Sequence, residues 1–346
     1  MSSVFISYIV PCYNIQAYLP RCIESLEKQQ IPGFELEFVM INDGSSDATL
    51  SIIRQFAEKD HRVVVIDQPN QGVCAARNNG LSVAKGKYVF FLDGDDWLTD
   101  NASEIMYGFC KDSNPDIALF SNYKIQEGKP NDKAKMWVDC SVHIDSGVYT
   151  KQEYIGKTSY LPISFKLYRT EFLKLNGIVF DKQLIAGEVY TFFIHALVLS
   201  EKIAVCGTPV MYYLKRKEGS ATTVINVQKD LSILDTLHVL NEYVREHYAR
   251  LMERRSFLTS SFWLVTSFAL IKYVGRTGYS KDIGQLIRHV KKDKEYAKLL
   301  KYFTGKGLSM SKHTLLALFI RFFSPRITYG FIRGYYKFAT RNRNDD

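Results

Sequence analysis

The sequence predicts an α/β protein, with a mostly parallel sheet flanked by helices and a helical C-terminal region after it. Three observations carry this expectation. The first hundred residues alternate β-prone runs with amphipathic segments of helical period, which is the pattern of repeated βα units. The runs stop at Pro, Asn, Asp or Gly. Beyond about residue 225 helical patterns take over.

Taken in order, residues 5–10 read as a strand stopped by Pro11. Residues 17–29 follow as a helix with Leu19, Cys22, Ile23 and Leu26 on one face. Residues 34–41 form a second strand, ended by Asn42-Asp43-Gly44. Ser46 or Asp47 can cap a helix over residues 48–58. Residues 63–66 make a third strand, and Asn70-Gln71-Gly72 turns into a helix over 73–84. Residues 88–92 are five β-prone residues in a row, which read as a strand buried on both faces. Residues 100–215 are mixed, with a polar, irregular stretch at 126–135. Residues 231–248, 256–273, 283–292 and 315–323 read as helices. The third-last of these regions, 257–271, is the most apolar, but it is too short and too rich in Ser and Thr to span a bilayer, which takes roughly 20 apolar residues. It is expected to be a core helix.

The chain has 346 residues, enough for one large or two modest domains. Its six cysteines are scattered, with no Cys-x-x-Cys and no His/Cys cluster, which argues against a zinc site or disulfide framework and fits a reducing compartment. Residues 4–10 are too short for a secretory signal, so a cytoplasmic location is expected. The net charge of +9 is unevenly placed. Residues 1–210 carry a net −5 and residues 211–346 a net +14. From 296 to 344 there are ten basic residues and no acidic one. The tail interleaves this charge with Leu315, Leu316, Phe319, Phe322, Phe323, Phe331, Tyr335, Tyr336 and Phe338. That composition suits an interfacial helix on an anionic membrane, and a domain surface with aromatics turned inward is the plainer account. A peripheral position on the inner face of the cell membrane is expected, with no nucleic-acid partner.

Asp93-Gly94-Asp95-Asp96 is the most informative motif. Carboxylates at the end of a buried strand need partners. A hard divalent cation, Mn²⁺ or Mg²⁺, is the natural one, because it binds through one or two carboxylates and completes its shell with substrate phosphates. Ligands of open α/β sheets lie beyond the carboxyl ends of the strands. An Asp-Gly turn with Asp96 as helix cap is the plainer account. The other strand ends add to the first reading. Pro11, Tyr13 and Asn14 form a loop whose backbone and ring could hold a flat base. Asp43 offers a carboxylate to a base or sugar edge. Gly72 and Arg77 give close backbone approach and a cation for a diphosphate. Asp93 and Asp95 would hold ribose and metal.

On these segments (8–14, 39–47, 70–78 and 91–97) the chain resembles the family-2 glycosyltransferases, which have the GT-A fold. The resemblance covers residues 5–100 in order and continues more loosely to about 222. It implies a GT-A-like nucleotide-sugar-binding half at 1–100, an acceptor half at 101–222 and a separate helical region at 223–346. It also implies a nucleotide-diphosphate sugar donor with a uracil base, an inverting transfer, a divalent metal at Asp95 and Asp93, and nucleotide contacts from Asp96. The acceptor would be a glycan or a lipid-linked glycan of a bacterial surface polysaccharide. In this family the general base belongs to an acidic pair that begins a helix about 90 residues after the Asp-x-Asp motif. Here that segment is Ala186-Gly187-Glu188-Val189, so the second acid is Val189. Glu188 is the expected base, because apolar neighbours such as Tyr190 and Phe192 would withhold water from it. A first-turn acid that complements the helix dipole is its plainer role. Arg216, in the basic segment 212–222, is expected to close over the diphosphate, and His195 to lie in the core or an acceptor pocket.

Three other classes fit the sequence less well. A nucleotidyltransferase would need a Gly-rich triphosphate loop near the N-terminus, and a dehydrogenase a Gly-x-Gly-x-x-Gly after the first strand. Neither is present. A catalytically inactive nucleotide-sugar-binding scaffold has Val189 as its support.

Overall fold

The computed structural model describes residues 4–137, 144–158, 161, 166–217, 226–271, 280–305 and 312–341. The chain divides into two compact units, Met1–Lys182 with Phe192–Lys217, and Gln183–Thr191 with Glu218–Asp346.

The first unit is built on one ten-stranded sheet. Strands β1 (Val4–Cys12), β2 (Glu35–Asp43), β3 (Val63–Gln68) and β4 (Tyr88–Phe91) lie in the order β3-β2-β1-β4, all parallel. Helices α1 (Leu19–Glu27), α2 (Thr49–Lys59) and α3 (Val73–Val83) make the crossovers. The apolar face of α1 buries Leu19, Cys22, Ile23 and Leu26, as its spacing predicts.

Two strand ends differ from expectation in a way that matters for the site. Pro11 does not stop β1, whose pairing with β2 continues to Cys12↔Asn42. The reason is the alternation of parallel ladders. The Ile9 carbonyl accepts from Leu92 on the β4 side, so Pro11, two residues on, also faces that side. There β4 has already ended, and the missing N–H forfeits no ladder bond. Likewise β2 runs through Asn42 and Asp43, which pair with Asp67 and Gln68 of β3. Asp43 is therefore anchored in the sheet and not in a loose turn. The cap position of α2 is Ala48, while Asp47 accepts the Thr49 and Gln16 N–H groups at 3.0 and 3.1 Å.

The other half of the sheet is mixed. Strand β9 (Lys166–Arg169) is antiparallel to both β4 and β6 (Ile117–Gln126), and β10 (Lys202–Lys215) runs parallel to β6. A short β5 (Trp97–Leu98) closes the edge antiparallel to β10. Strands β7 (Lys135–Trp137) and β8 (Gly147–Thr150) add antiparallel partners to β6 and β10. Helices α4 (Ala102–Cys110), α5 (Lys151–Lys157) and α6 (Thr170–Leu175) complete this half. Helix α7 (Glu188–Leu199) starts in the residues counted with the second unit and continues in the first. The aromatic core includes Tyr8, Phe38 and Phe90, with ring centroids under 6 Å apart, and the stacked pair Phe180–Phe192 at 4.1 Å. Burying each such ring contributes on the order of 1.5–3 kcal/mol.

The second unit is helical. Residues 227–248 divide into α8 (Val227–Leu231) and α9 (Ile233–Tyr248). Helix α10 (Arg255–Val265) runs into a π-helical turn at Thr266–Leu270, where the Thr266 and Tyr296 hydroxyls lie 2.9 Å apart. Most of the stretch is buried, as expected of a core helix. Helices α11 (Lys281–Lys292), α12 (Lys294–Thr304), α13 (Lys312–Phe322) and α14 (Pro325–Arg341) follow; α12 has no counterpart among the expected helices, and α14 falls in the tail expected to form an interfacial helix. Among the described residues no helix is long and apolar enough to cross a membrane. In the tail, Phe319 stacks on Phe331 at 3.6 Å, and Leu316, Ile320, Tyr329 and Ile332 are buried. Leu315, Phe322, Phe323 and Ile327 remain exposed. The tail thus divides its apolar residues between packing and surface. The side chains of Tyr335, Tyr336 and Phe338 lie outside the described residues.

Candidate active site

The carboxyl ends of β1, β2, β3 and β4 bring the sequence motifs together. Asn14 adopts a left-handed φ of 48°, which Asn tolerates better than most residues. Its N–H donates to Ser45 Oγ at 3.1 Å and its Oδ1 accepts from the Ser46 N–H at 2.8 Å, tying the first strand end to the second. Beside it the Tyr13 ring is 51% exposed, as a stacking platform requires. Asp43 is buried. Its Oδ1 accepts from Gln68 Nε2 at 2.7 Å and the Gln71 N–H at 2.9 Å, and its Oδ2 accepts from the Gly72 N–H at 2.9 Å. It therefore builds the turn before α3, with one Oδ2 lone pair left for a further donor. Gly72 has φ +87° with open space around it, so conformation and not crowding demands glycine there.

The carboxylates after β4 meet two arginines. Arg77 Nη2 donates to Asp93 Oδ1 at 2.7 Å. The arginine is only 7% exposed and its guanidinium sits over the Phe180 ring, whereas Asp93 is 42% exposed. The cation expected for a diphosphate is thus buried and pairs with Asp93. Asp95 Oδ2 lies 3.0 Å from Arg216 Nε, and the Nε–H points off that line, so this is an ion pair and not a hydrogen bond. Burial, with the Asp93 charge second, pushes the Asp95 carboxyl up to about 6.

Asp96 also differs from expectation. It is buried, its Oδ1 accepts the Leu214 N–H at 2.8 Å, and among the described residues Oδ2 has no hydrogen-bond partner. Burial, reinforced by Asp95 and Asp93, raises its carboxyl far above the usual range. Asp96 is a tie to β10 and not an open nucleotide ligand. It belongs to a three-step lock. Trp97 stacks on Tyr212 at 5.3 Å, Asp96 holds the Leu214 amide, and Asp95 pairs with Arg216. Steps of two along β10 match steps of one along the turn. A Cβ on Gly94 would sit 2.4 Å from Ile15 Cδ1, so a side chain there would have to push the end of Ile15 aside.

Glu188 begins α7, half-buried, with Val189 after it. Within the second unit this segment is anchored by Thr236, whose hydroxyl donates to the Ala186 carbonyl at 2.5 Å and whose Cγ2 a Cβ on Gly187 would meet at 2.8 Å. His195 lies half-buried on α7. Residues 218–222 of the expected closing segment lie outside the described residues, and so does the boundary expected at 222/223.

Two site residues escaped the sequence. Tyr18 lies under Arg216, its ring 5.0 Å from the guanidinium, and donates its hydroxyl to Glu127 Oε1 at 2.8 Å. Glu127 Oε2 accepts the Lys217 N–H at 2.8 Å. Glu127 fell in a stretch legible only as polar, and no local pattern marks it.

Among the described residues no three His, Cys, Asp or Glu groups converge as an all-protein metal cage. The Asp93 and Asp95 carboxylates nevertheless fit Mn²⁺ or Mg²⁺ by their chemistry: two hard oxygen donors at a strand end, each already balanced by a cation.

A mixed sheet whose parallel strand ends gather an exposed ring, a turn-building carboxylate and an Asp-Gly-Asp pair defines a GT-A-type α/β protein. Residues 7–176 match the family model for Glycosyl transferase family 2, and the chain carries a domain of that family. The chain is 40% identical over 124 residues to Glycosyltransferase GlyA of Streptococcus pneumoniae serotype 4, covering 36% of this chain and 18% of that protein. It is 30% identical over 224 residues to a poly(ribitol-phosphate) beta-glucosyltransferase of Bacillus spizizenii, covering 64% and 34%. The chain thus spans about a third or less of these relatives' length. A crystal structure of Staphylococcus aureus TarS 1–349 in complex with UDP-GlcNAc has the same fold, with a TM-score of 0.70 at 21% identity over 97% of this chain and 92% of that one.

Proposed function

We propose that the chain is an inverting glycosyltransferase that moves a sugar from a UDP-sugar to a glycan or lipid-linked acceptor in bacterial surface-polysaccharide synthesis. The observation that carries this reading is the pair of carboxylates at the end of β4, each facing a guanidinium. A metal–diphosphate has the same alternation of charge. The UDP-GlcNAc in the TarS complex and the poly(ribitol-phosphate) in the name of the Bacillus spizizenii relative support the donor and acceptor classes.

In this reading Tyr13, Pro11 and Asn14 flank the base and the free lone pair of Asp43 accepts from it. Asp95, with Asp93, would hold Mn²⁺ or Mg²⁺, which supplies positive charge for the departing diphosphate. Arg77 keeps Asp93 aimed through its hydrogen bond to Oδ1. Arg216 offers a fork that matches phosphate oxygens. Glu188 takes the proton from the acceptor hydroxyl as it attacks the anomeric carbon. The exposed Phe322, Phe323 and Ile327, on a basic tail, hold the protein against an anionic membrane at its inner face. The alternative, a nucleotide-sugar-binding protein without turnover, is favoured by one observation, Val189 in place of the second acid.

The test is binding and slow hydrolysis of a panel of nucleotide sugars with Mn²⁺, Mg²⁺ or EDTA, on wild type and Asp95→Ala. One UDP-sugar is expected to bind and release UDP only with metal, and Asp95→Ala to lose both. Metal-dependent binding without turnover, with acceptor extracts supplied, would favour the alternative. Binding of no donor would overturn the proposal.

A further inference from the structure

The geometry points to a second role for Arg216: it is the resident counter-ion of Asp95, held there by Tyr18 and Glu127, so that metal and nucleotide diphosphate bind together and metal alone binds poorly. This rests on the donor reading above. The two arginines of the site are held differently. Arg77 is enclosed between Asp93 and Phe180 and keeps its carboxylate. Arg216 meets Asp95 at 3.0 Å without a directed hydrogen bond, which is a partnership a hard cation can replace.

What keeps Arg216 in place is a clamp from α1 and from the residue after β6. The Tyr18 ring carries the guanidinium, and Glu127 fastens both the Tyr18 hydroxyl and the Lys217 amide. The exchange follows from charge. A metal arriving alone puts a second cation beside Asp95 and leaves Arg216 without an anion. A diphosphate arriving alone faces the Asp93 and Asp95 carboxylates. When both arrive, Asp95 passes to the metal and the guanidinium passes to the phosphates. Each ligand then raises the affinity of the other by the same factor. Tyr18 and Glu127 are positioning residues in this scheme.

The experiment titrates Mn²⁺ into wild type, Arg216→Gln and Glu127→Ala, following the free-Mn²⁺ paramagnetic resonance signal with and without UDP. Thermal melting checks that each variant folds. Arg216→Gln should bind Mn²⁺ alone about tenfold more tightly than wild type, within the usual range of coupling between sites, and should bind UDP with Mn²⁺ more weakly. Glu127→Ala should shift both affinities in the same directions by less, and it carries the test if Arg216→Gln does not fold. Mn²⁺ affinity that stays unchanged or weakens in the folded variants overturns the counter-ion role. If wild type binds Mn²⁺ with UDP normally in that case, the donor reading stands and only this inference fails. If wild type binds neither, both fail.

Discussion

The two halves of the sheet are held together over different distances, and the site lies where they meet. On the β3-β2-β1-β4 side, strands that pair are mostly consecutive in sequence, and each strand end carries its chemistry in the next few residues. On the β9-β6-β10-β5 side, partners come from far away. Trp97 meets Tyr212, Asp96 meets Leu214 and Asp95 meets Arg216 across more than a hundred residues. The local half places the carboxylates and pairs Asp93 with Arg77, and the distant half pairs Asp95 with Arg216 and ties Asp96 to Leu214. Substitutions in the first should damage ligand binding with the fold intact, and substitutions in the lock to β10 should show first in stability.

The largest effect is expected at Asp95→Ala: loss of metal-dependent donor turnover by a factor of about 10³ or more, as for removal of a main electrostatic partner of a leaving group, with a normal circular dichroism spectrum. Glu188→Gln should lower turnover by about 10²–10⁴, as removal of a general base does, while donor affinity stays within twofold. Turnover within a few-fold of wild type would move the base elsewhere. On the β10 side, Asp96→Ala should cost about 0.5–1.5 kcal/mol in chemical denaturation, because it removes the acceptor of the half-buried Leu214 amide.

Asp95→Asn sharpens the comparison through pH. In the folded chain the Asp95 carboxyl is pushed up to about 6, above its ordinary 3.8. The folded state therefore holds that proton more tightly than the unfolded one. Its stabilising contribution is full below pH 3.8 and is lost as pH rises through 6. Asp95→Asn removes this loss. It should melt above wild type at pH 7.5, by about 1–3 kcal/mol of stability on the scale of 1.4 per pKa unit, and level with it near pH 3.5. A variant that melts lower at pH 7.5 would show that the Arg216 pair outweighs burial. The smallest effect concerns the tail. Phe322→Ser with Phe323→Ser should weaken sedimentation with phosphatidylglycerol vesicles several-fold and leave turnover on a water-soluble acceptor unchanged.

Legibility in the sequence follows the same division. The strand–helix repeats of residues 4–91 could be read because each is a local pattern of period 2 or 3.6, and the Asp-Gly-Asp pair because charge at the end of an apolar run needs a partner. Pro11 and Asp43 were read as breakers. Which ladder edge a residue faces is set by its neighbours, and no single-strand pattern carries that information. Arg77 and Arg216 were legible as cations near phosphate, but their pairing with Asp93 and Asp95 is a tertiary fact. Glu127 and Tyr18 carried no local mark. Helix α12 was missed because its Lys-rich face breaks up the apolar positions Tyr296, Leu299, Leu300 and Phe303.

The most direct test is a crystal structure of the chain soaked with Mn²⁺ and UDP. The account predicts the metal on Asp95, between that carboxylate and the diphosphate, with the uracil beside Tyr13 and the Arg216 guanidinium moved from Asp95 to the phosphates. UDP bound away from the β1–β4 strand ends, or bound there with no metal on Asp93 or Asp95, would contradict it.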